Sequence, residues 1–219
     1  MVFMKAVLFD LDGVLVDGEK AHYHATRLAL EEQGIHFTYK QYLQYFPGVT
    51  DEEALAWFLR KPRRAVKWIA RRKHELFSEI FDQHIVSFPN TIAAAKMLKR
   101  KGYRLVLATS AVRPEAMAFL NAFRLKPLFH AIVSAEDVKK GKPDPQIYLL
   151  AAKKAKAKPS ECVVVEDSVA GVAAAKAAGM RCVALLHTYP HKLLRKADAI
   201  VSDRGAGGAK KLFKAIVEQ

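Results

Sequence analysis

Val7-Leu8-Phe9-Asp10-Leu11-Asp12-Gly13 decides how the chain is read. The apolar run from Ala6 to Phe9 has the unbroken hydrophobicity of a strand covered on both faces, as parallel strands are. It stops at a carboxylate, a spacer, a second carboxylate and a glycine. Side chains alternate along an extended chain, so Asp10 and Asp12 emerge on one side at the strand's carboxyl end. That is the edge where open α/β sheets bind ligands. Two carboxylates this close repel, and they need a cation, a shared proton or open water beside them. A polar loop with Asp12-Gly13 as turn residues would produce the same string, so the downstream sequence has to decide.

The chain has 219 residues, 51% of them hydrophobic, enough for one large α/β domain or for a core with a small accessory domain. No run approaches the roughly 20 apolar residues that span a bilayer. The first residues lack the shape of a signal peptide, so a cytoplasmic protein without membrane contact is expected. Cys162 and Cys182 sit in apolar, strand-like runs and read as buried free thiols. Lys and Arg outnumber Asp and Glu by 36 to 22, but the basic residues are scattered and many recur at helical spacing, as on a solvated face. No zinc-ligand spacing or RNA-binding aromatic motif accompanies them. The charge is therefore read as steering a small anion, with no nucleic-acid partner.

After Asp17 the period changes. Ala21, Ala25, Leu28 and Ala29 recur at helical spacing up to a stop at Gly34. A second helix covers Tyr39 to Phe46 and is broken by Pro47-Gly48. Thr50 with Glu53 forms a capping box for a helix to about Leu59. Pro62 opens a long helix whose apolar face reads as Ala65, Trp68, Ile69, Leu76, Ile80 and Phe81. Nothing between Glu19 and Ile85 reads as a strand, so residues 17–86 are expected to form an all-helical insertion. Residues 1–16 and 87–219 are then the core. From Pro89 onward helices and strands alternate: strands at Arg104–Ala108, Ala131–Val133, Cys162–Val165, Cys182–Leu186 and Ala199–Val201, with helices at Thr91–Lys101, Pro114–Phe123, Asp144–Lys154, Val169–Ala178 and Ala209–Val217. Such alternation means βα units and a parallel sheet with helices on both faces.

Three more strand ends carry polar residues. Leu105-Val106-Leu107-Ala108 delivers Thr109 and Ser110, whose hydroxyls and amides can hold phosphoryl oxygens. Gly141-Lys142-Pro143-Asp144-Pro145 fixes one cation in a rigid loop. Val163-Val164-Val165 runs into Glu166-Asp167-Ser168. Carboxylates from two strands, one lysine and one hydroxyl thus meet at one sheet edge. Hard oxygen donors suit Mg²⁺. A carboxylate attacking phosphorus divides a slow hydrolysis into two steps, and a cation offsets its repulsion from the phosphate. A second carboxylate can protonate the leaving alcohol and then deprotonate water.

These residues resemble the haloacid dehalogenase superfamily, whose four motifs occur in order as Asp10-Leu11-Asp12-Gly13, Thr109-Ser110, Lys142 in Gly-Lys-Pro-Asp-Pro, and Glu166-Asp167-Ser168. The resemblance spans the whole chain. It is closest to the branch with a helical cap inserted after the first motif, which holds β-phosphoglucomutase-like enzymes and small sugar- or polyol-phosphate phosphatases. It implies a Rossmann-like core, Asp10 as nucleophile, Asp12 as general acid and base, and Thr109, Ser110 and Lys142 around the phosphoryl group. It further implies Mg²⁺ on the Asp10 carboxylate, the Asp12 backbone carbonyl and Asp167, with Glu166 adjacent or ligating, and a small phosphorylated molecule as substrate of a monomeric or dimeric enzyme. Asp12 separates the chain from dehalogenase and phosphonatase branches, which have no alkoxide to protonate. His22 and Lys73 fall where the mutase's cap has a histidine and a lysine; their alternatives are a helix-surface residue and a solvated basic stripe with Arg71 and Arg72. Gly48-Val49-Thr50 is followed by Asp51, where the mutase has a basic residue that holds a distal phosphate. A phosphatase is therefore the expected activity, and a phosphohexomutase the alternative.

Overall fold

The structure, a computed structural model, describes residues 4–46 and 50–218, with backbone alone at 81–84. Gly48-Val49 and the Phe81 side chain, both singled out above, lie outside the described residues. In chain order the elements begin with β1 (Ala6–Phe9), β2 (Val16–Asp17), α1 (Glu19–Glu31), α2 (Tyr39–Tyr45), α3 (Asp51–Leu59), α4 (Arg63–His84) and β3 (Val86–Ser87). They continue with α5 (Pro89–Arg100), β4 (Arg104–Ala108), α6 (Arg113–Ala122), β5 (Ala131–Val133) and α7 (Gln146–Lys154). Last come β6 (Cys162–Glu166), α8 (Val169–Ala177), β7 (Arg181–Leu185), β8 (Ala199–Val201) and α9 (Gly208–Val217). The chain divides into two compact units, one of residues 1–17 with 87–219 and one of residues 18–86.

In the first unit six strands pair in the order β5-β4-β1-β6-β7-β8, and every neighbouring pair is parallel. Counted along the chain within this sheet, the order is third, second, first, fourth, fifth, sixth, the Rossmann-like arrangement. The sheet departs from β1 in both directions, so β1 is central and all four of its residues are fully buried. That burial on both faces is why its sequence is continuously apolar rather than alternating. Ala6, Leu8, Val106 and Ala108 cluster with Ile147, Tyr148 and Ala151 of α7 and Val172, Ala174 and Ala175 of α8. By alternation Val7, Phe9, Leu105 and Leu107 point to the opposite face. There α5 packs against β4 and α9, and α9 against β8. Cys162 and Cys182 are free and buried.

Helix α7 starts two residues later than its pattern predicts. The Asp144 carboxylate accepts the Gln146 N–H at 3.0 Å, and the Asp144 N–H donates to the Gly141 carbonyl at 3.0 Å, which keeps Lys142–Pro145 in a turn. The β2–β3 pair, two residues in each strand, has no sequence signal because two residues show no period.

In the second unit α4 packs against α1 and α3. Thr50 caps α3 with a reciprocal box to Glu53, and Thr38 does the same for α2 with Gln41. The apolar face of α4 differs from the one predicted. Ile69 and Leu76 are buried, but they are joined by Val66, Ala70, Lys73 and Phe77, while Ala65 and Trp68 are exposed. Val66, Ile69, Ala70, Lys73, Leu76 and Phe77 form one stripe at helical spacing, so the stripe is shifted around the helix and includes a charged residue. Among the described residues no helix is long and apolar enough to cross a membrane.

Candidate active site

Phe9 is level with Val165 in the β1–β6 pair, so Asp10, one residue past β1, stands beside Glu166, the last residue of β6. The Asp10 N–H donates to the Val165 carbonyl at 3.1 Å and continues the ladder. This is the point at which the sheet's strand order reverses, and a crevice forms there at the carboxyl ends of the strands. Lys142 reaches it from the loop before α7. Its Nζ lies 2.9 Å from Asp10 Oδ1 and 2.7 Å from Glu166 Oε1, and its side chain is only 5% exposed. The ammonium also lies 5.1 Å from the centroid of the Tyr148 ring.

Glu166 is fully engaged by the protein. Oε1 accepts from Lys142 and from the Tyr148 hydroxyl at 2.8 Å. Oε2 accepts from the N–H groups of Asp167 and Ser168 and from the Ser168 hydroxyl, each at 2.9 Å. Five donors exceed the roughly four lone-pair sites of a carboxylate. The Ser168 hydroxyl in turn accepts the Gly171 N–H at 3.0 Å and caps α8. Gly171 makes room for this arrangement, since a Cβ there would fall 1.6 Å from Glu166 Oε1. At Gly13, where φ is +72°, a Cβ would fall 1.9 Å from Asp167 Oδ2. Both glycines are required by close approach as well as, for Gly13, by backbone conformation.

The electrostatics follow from burial. Burial pushes the Asp10 carboxyl up to about 7; Lys142 opposes the rise and Glu166 adds to it. Burial also raises Asp167, helped by repulsion from Glu166 and Asp10 and opposed by a hydrogen bond from the Thr188 side chain. Glu166 goes the other way. Burial would raise it, but Lys142, the Ser168 amide and the Tyr148 hydroxyl together hold it below the ordinary carboxylate range. Lys142 is desolvated too, yet its two carboxylates keep it firmly protonated. One cation therefore serves two acids, and a third acid, Asp167, stands beside them. Asp10, Glu166 and Asp167 each offer a carboxylate oxygen, and these oxygens lie within 4.8 Å of one another. An oxygen-only donor set carrying this much unrelieved negative charge has the chemistry that a hard divalent cation fits.

The other residues singled out from the sequence divide into two groups. Asp12 follows on the same loop, bridged to Val16, and the Gly13 N–H is fixed on the Val16 carbonyl at 2.8 Å. Leu107 of β4 is level with Phe9, so Thr109 lies one residue beyond the level of Asp10. Thr109 is buried, and its hydroxyl oxygen accepts the Ala111 N–H at 3.0 Å, leaving the hydroxyl proton to donate. Ser110 is exposed. His22 and Lys73 belong to the helical unit, where they meet each other. Lys73 Nζ lies 2.9 Å from His22 Nδ1 and 2.9 Å from Asp51 Oδ2, with its side chain 2% exposed. The His22 ring stacks on Phe77 at 4.5 Å. Lys73 is thus no part of a solvated stripe, and the Asp51 charge is met within its own unit. Tyr148 and Thr188 carried no sequence signal, because each acts through a partner rather than a motif of its own, and the motif residue Ser168 gave no hint that it holds Glu166.

A Rossmann-like sheet that gathers three carboxylates and one buried lysine at its switch point is an α/β enzyme core with an acidic candidate site. The chain belongs to the haloacid dehalogenase-like hydrolase family, whose model matches residues 7–185. It is 34% identical over 201 residues to the phosphorylated carbohydrates phosphatase of Thermotoga maritima, covering 90% of this chain and 93% of that protein. It is 32% identical over 198 residues to the β-phosphoglucomutase of Bacillus subtilis, with 85% of each chain covered. The crystal structure of CbbY from Rhodobacter sphaeroides in complex with phosphate superimposes with a TM-score of 0.82 at 28% identity, over 95% of this chain and 100% of that one.

Proposed function

We propose that this haloacid dehalogenase-type phosphatase hydrolyses the phosphomonoester of a small sugar, polyol or acid phosphate, with Asp10 as nucleophile and Asp12 as general acid and base. The observation that carries the reading is the shared ammonium, Lys142 between Asp10 and Glu166. It orients one carboxylate oxygen and leaves the other to attack. Asp10 bonds to phosphorus as the ester P–O bond breaks, and the leaving alkoxide takes the proton of the Asp12 carboxyl. Asp12, now ionised, takes a proton from water; that water displaces Asp10 from phosphorus and releases inorganic phosphate. Thr109 and Ser110 donate to phosphoryl oxygens, and Lys142 offsets their charge. Mg²⁺ fits the Asp10 and Asp167 carboxylates with the Asp12 backbone carbonyl, and when bound it supplies charge neutralisation for the approaching phosphoryl group. Glu166, saturated with protein donors, holds Lys142 rather than metal.

The hydrolase is favoured over a phosphohexomutase because Asp51 puts a negative charge beside Lys73, where a second phosphate would need positive charge. The relative from Thermotoga maritima, named for phosphorylated carbohydrates, supports the substrate class. Phosphate release from a panel of sugar, polyol and small-acid phosphates and an aryl phosphate, with Mg²⁺ and with chelator, tests the reading. Release should require metal and vanish in Asp10→Asn. Asp12→Asn should impair alkyl phosphates more than the aryl phosphate, whose leaving group needs no proton. Conversion of a hexose 1-phosphate into its 6-phosphate, with no net phosphate release, would assign the mutase instead.

A further inference from the structure

Two residues past β7 a histidine links the Asp10–Gly13 loop to Asp203, past β8, and no step of the reaction above uses it. His187 Nδ1 lies 2.8 Å from the Gly13 carbonyl and Nε2 2.6 Å from Asp203 Oδ1. Its side chain is 2% exposed and that of Asp203 4%. Both partners are acceptors, so the ring donates at both nitrogens, as an imidazolium on a carboxylate does. The ring stacks on Phe88 at 3.9 Å between centroids and 14° between planes. Asp203 is held in its turn: Oδ2 accepts the Thr91 hydroxyl at 2.8 Å, and its carbonyl accepts from the Asn90 side chain at 2.7 Å. Phe88 is tied back to the first loop by its N–H on the Leu15 carbonyl at 2.9 Å.

The consequence for the acidic loops is specific. The Asp12 carbonyl shares a peptide plane with the Gly13 N–H, which Val16 fixes. The next plane, that of the Gly13 carbonyl, is fixed by His187. A Cβ at Gly13 would clash with Asp167, and Thr188, the neighbour of His187, hydrogen-bonds Asp167. One dipeptide therefore touches the loop that carries Asp10 and Asp12 and the carboxylate that faces it. A surface turn between β7 and β8 would need no buried ionic group, and burying one is costly unless it is fully partnered.

We propose that His187, held by Asp203, is a positioning residue that locks the Gly13 end of the Asp10–Gly13 loop against Asp167. This rests on the assignment of Asp10 and Asp12 above. The test uses the full chain and two isosteric cuts. His187→Asn keeps a donor near Nδ1, toward Gly13, and gives up the bond to Asp203. His187→Gln keeps a donor near Nε2, toward Asp203, and gives up the bond to Gly13. Three readouts are compared: kcat and KM on an aryl phosphate, the Mg²⁺ concentration for half-saturation by calorimetry, and amide hydrogen exchange of residues 11–16.

His187→Gln should lose about 10- to 100-fold in kcat or Mg²⁺ affinity, the range for residues that support metal-site ligands. KM should hold, and exchange in 11–16 should accelerate. His187→Asn should retain kcat and Mg²⁺ affinity within about threefold, since the Gly13 contact persists. If both variants lose thermal stability alike while kcat per folded molecule and Mg²⁺ affinity stay at wild-type values, the histidine only packs α5 against β8 and the proposal is wrong. Equal kinetic losses in the two variants would also overturn it. Asp10→Asn run alongside separates the two readings: release surviving in that variant sinks the nucleophile assignment, whereas its loss with an unaffected His187→Gln sinks this proposal alone. If the aryl phosphate is not turned over, the calorimetric and exchange readouts still decide.

Discussion

Lys142 in the first unit and Lys73 in the second both have buried side chains, and the contrast between them is instructive. Lys142 stands between two carboxylates, one of them fully buried. Lys73 meets the Asp51 carboxylate, whose side chain is 22% exposed, and the ring nitrogen of His22, and His74 Nε2 lies 3.5 Å from the same Asp51 oxygen. Around Lys142 the acids outnumber the base, and the surplus appears as an Asp10 carboxyl raised to about 7 and a raised Asp167. Around Lys73 the acid, Asp51, stays in reach of water. An ion pair of that kind is a structural solution. A cluster left short of positive charge has room for a further cation and an anionic substrate. The difference is why chemistry is assigned to the α/β unit rather than to the helical one.

Truncating both lysines to methionine is the strongest way to break the contrast. Lys142→Met strands Glu166 with nowhere to rehydrate, and should cost about 3 to 5 kcal/mol. Phosphate release should fall about a thousandfold. Lys73→Met sets an apolar chain against Phe77 and leaves Asp51 open to water, so its denaturation midpoint should correspond to a change within about 2 kcal/mol of wild type. Equal destabilisation in chemical denaturation would mean that both lysines are structural.

Gly171→Ala sharpens the comparison without touching a charge. The added methyl displaces the Glu166 carboxylate and, through it, Lys142, so phosphate release should drop about tenfold or more with the sheet intact by circular dichroism. An active Gly171→Ala protein would show that the position of Glu166 is not critical.

The pH dependence has a definite sign. The folded Asp10 carboxyl titrates near 7, against about 3.9 in the unfolded chain, so the folded state holds this proton more tightly. Its contribution to stability is full below the unfolded value and is lost as pH rises through about 7. Metal binds the ionised form, so saturating Mg²⁺ should raise the thermal midpoint by about 5 to 10 °C at pH 8. At pH 5, where the proton competes, the rise should be markedly smaller. A rise independent of pH would separate the metal from Asp10. The smallest effect belongs to Arg71, two residues from Lys73 but with an 84% exposed side chain. Arg71→Ala should leave the midpoint where it is.

Much of this was legible in the chain because it is local. A strand buried on both faces announces itself by an apolar run, and the residue that ends the run stands at the ligand-binding edge. Hence Asp10, Thr109 and Glu166 could be placed from sequence, as could the capping box at Thr50. Lys142 was legible for a different reason, since a lysine between glycine and prolines sits in a loop of restricted shape. Lys73 was singled out by resemblance, but its burial was not legible. Its neighbours Arg71 and Arg72 suggest a solvated stripe, and burial is set by the face that α4 turns toward α1 and α3. The same rotation exposes Trp68, which a hydrophobic pattern places inside.

What the sequence by itself determined is therefore the set of elements, their α/β alternation and the polar residues at each strand's end. These depend on periodicity and on residues a few positions apart. Tertiary structure decided the strand order that sets β1 beside β6, the saturation of Glu166 by Tyr148 and Ser168, and the link from His187 to Gly13. Those depend on contacts between residues up to 174 positions apart, and no local pattern encodes such a distance. They form only when the sheet closes its order and burial turns an unpaired charge into a cost that a partner must offset.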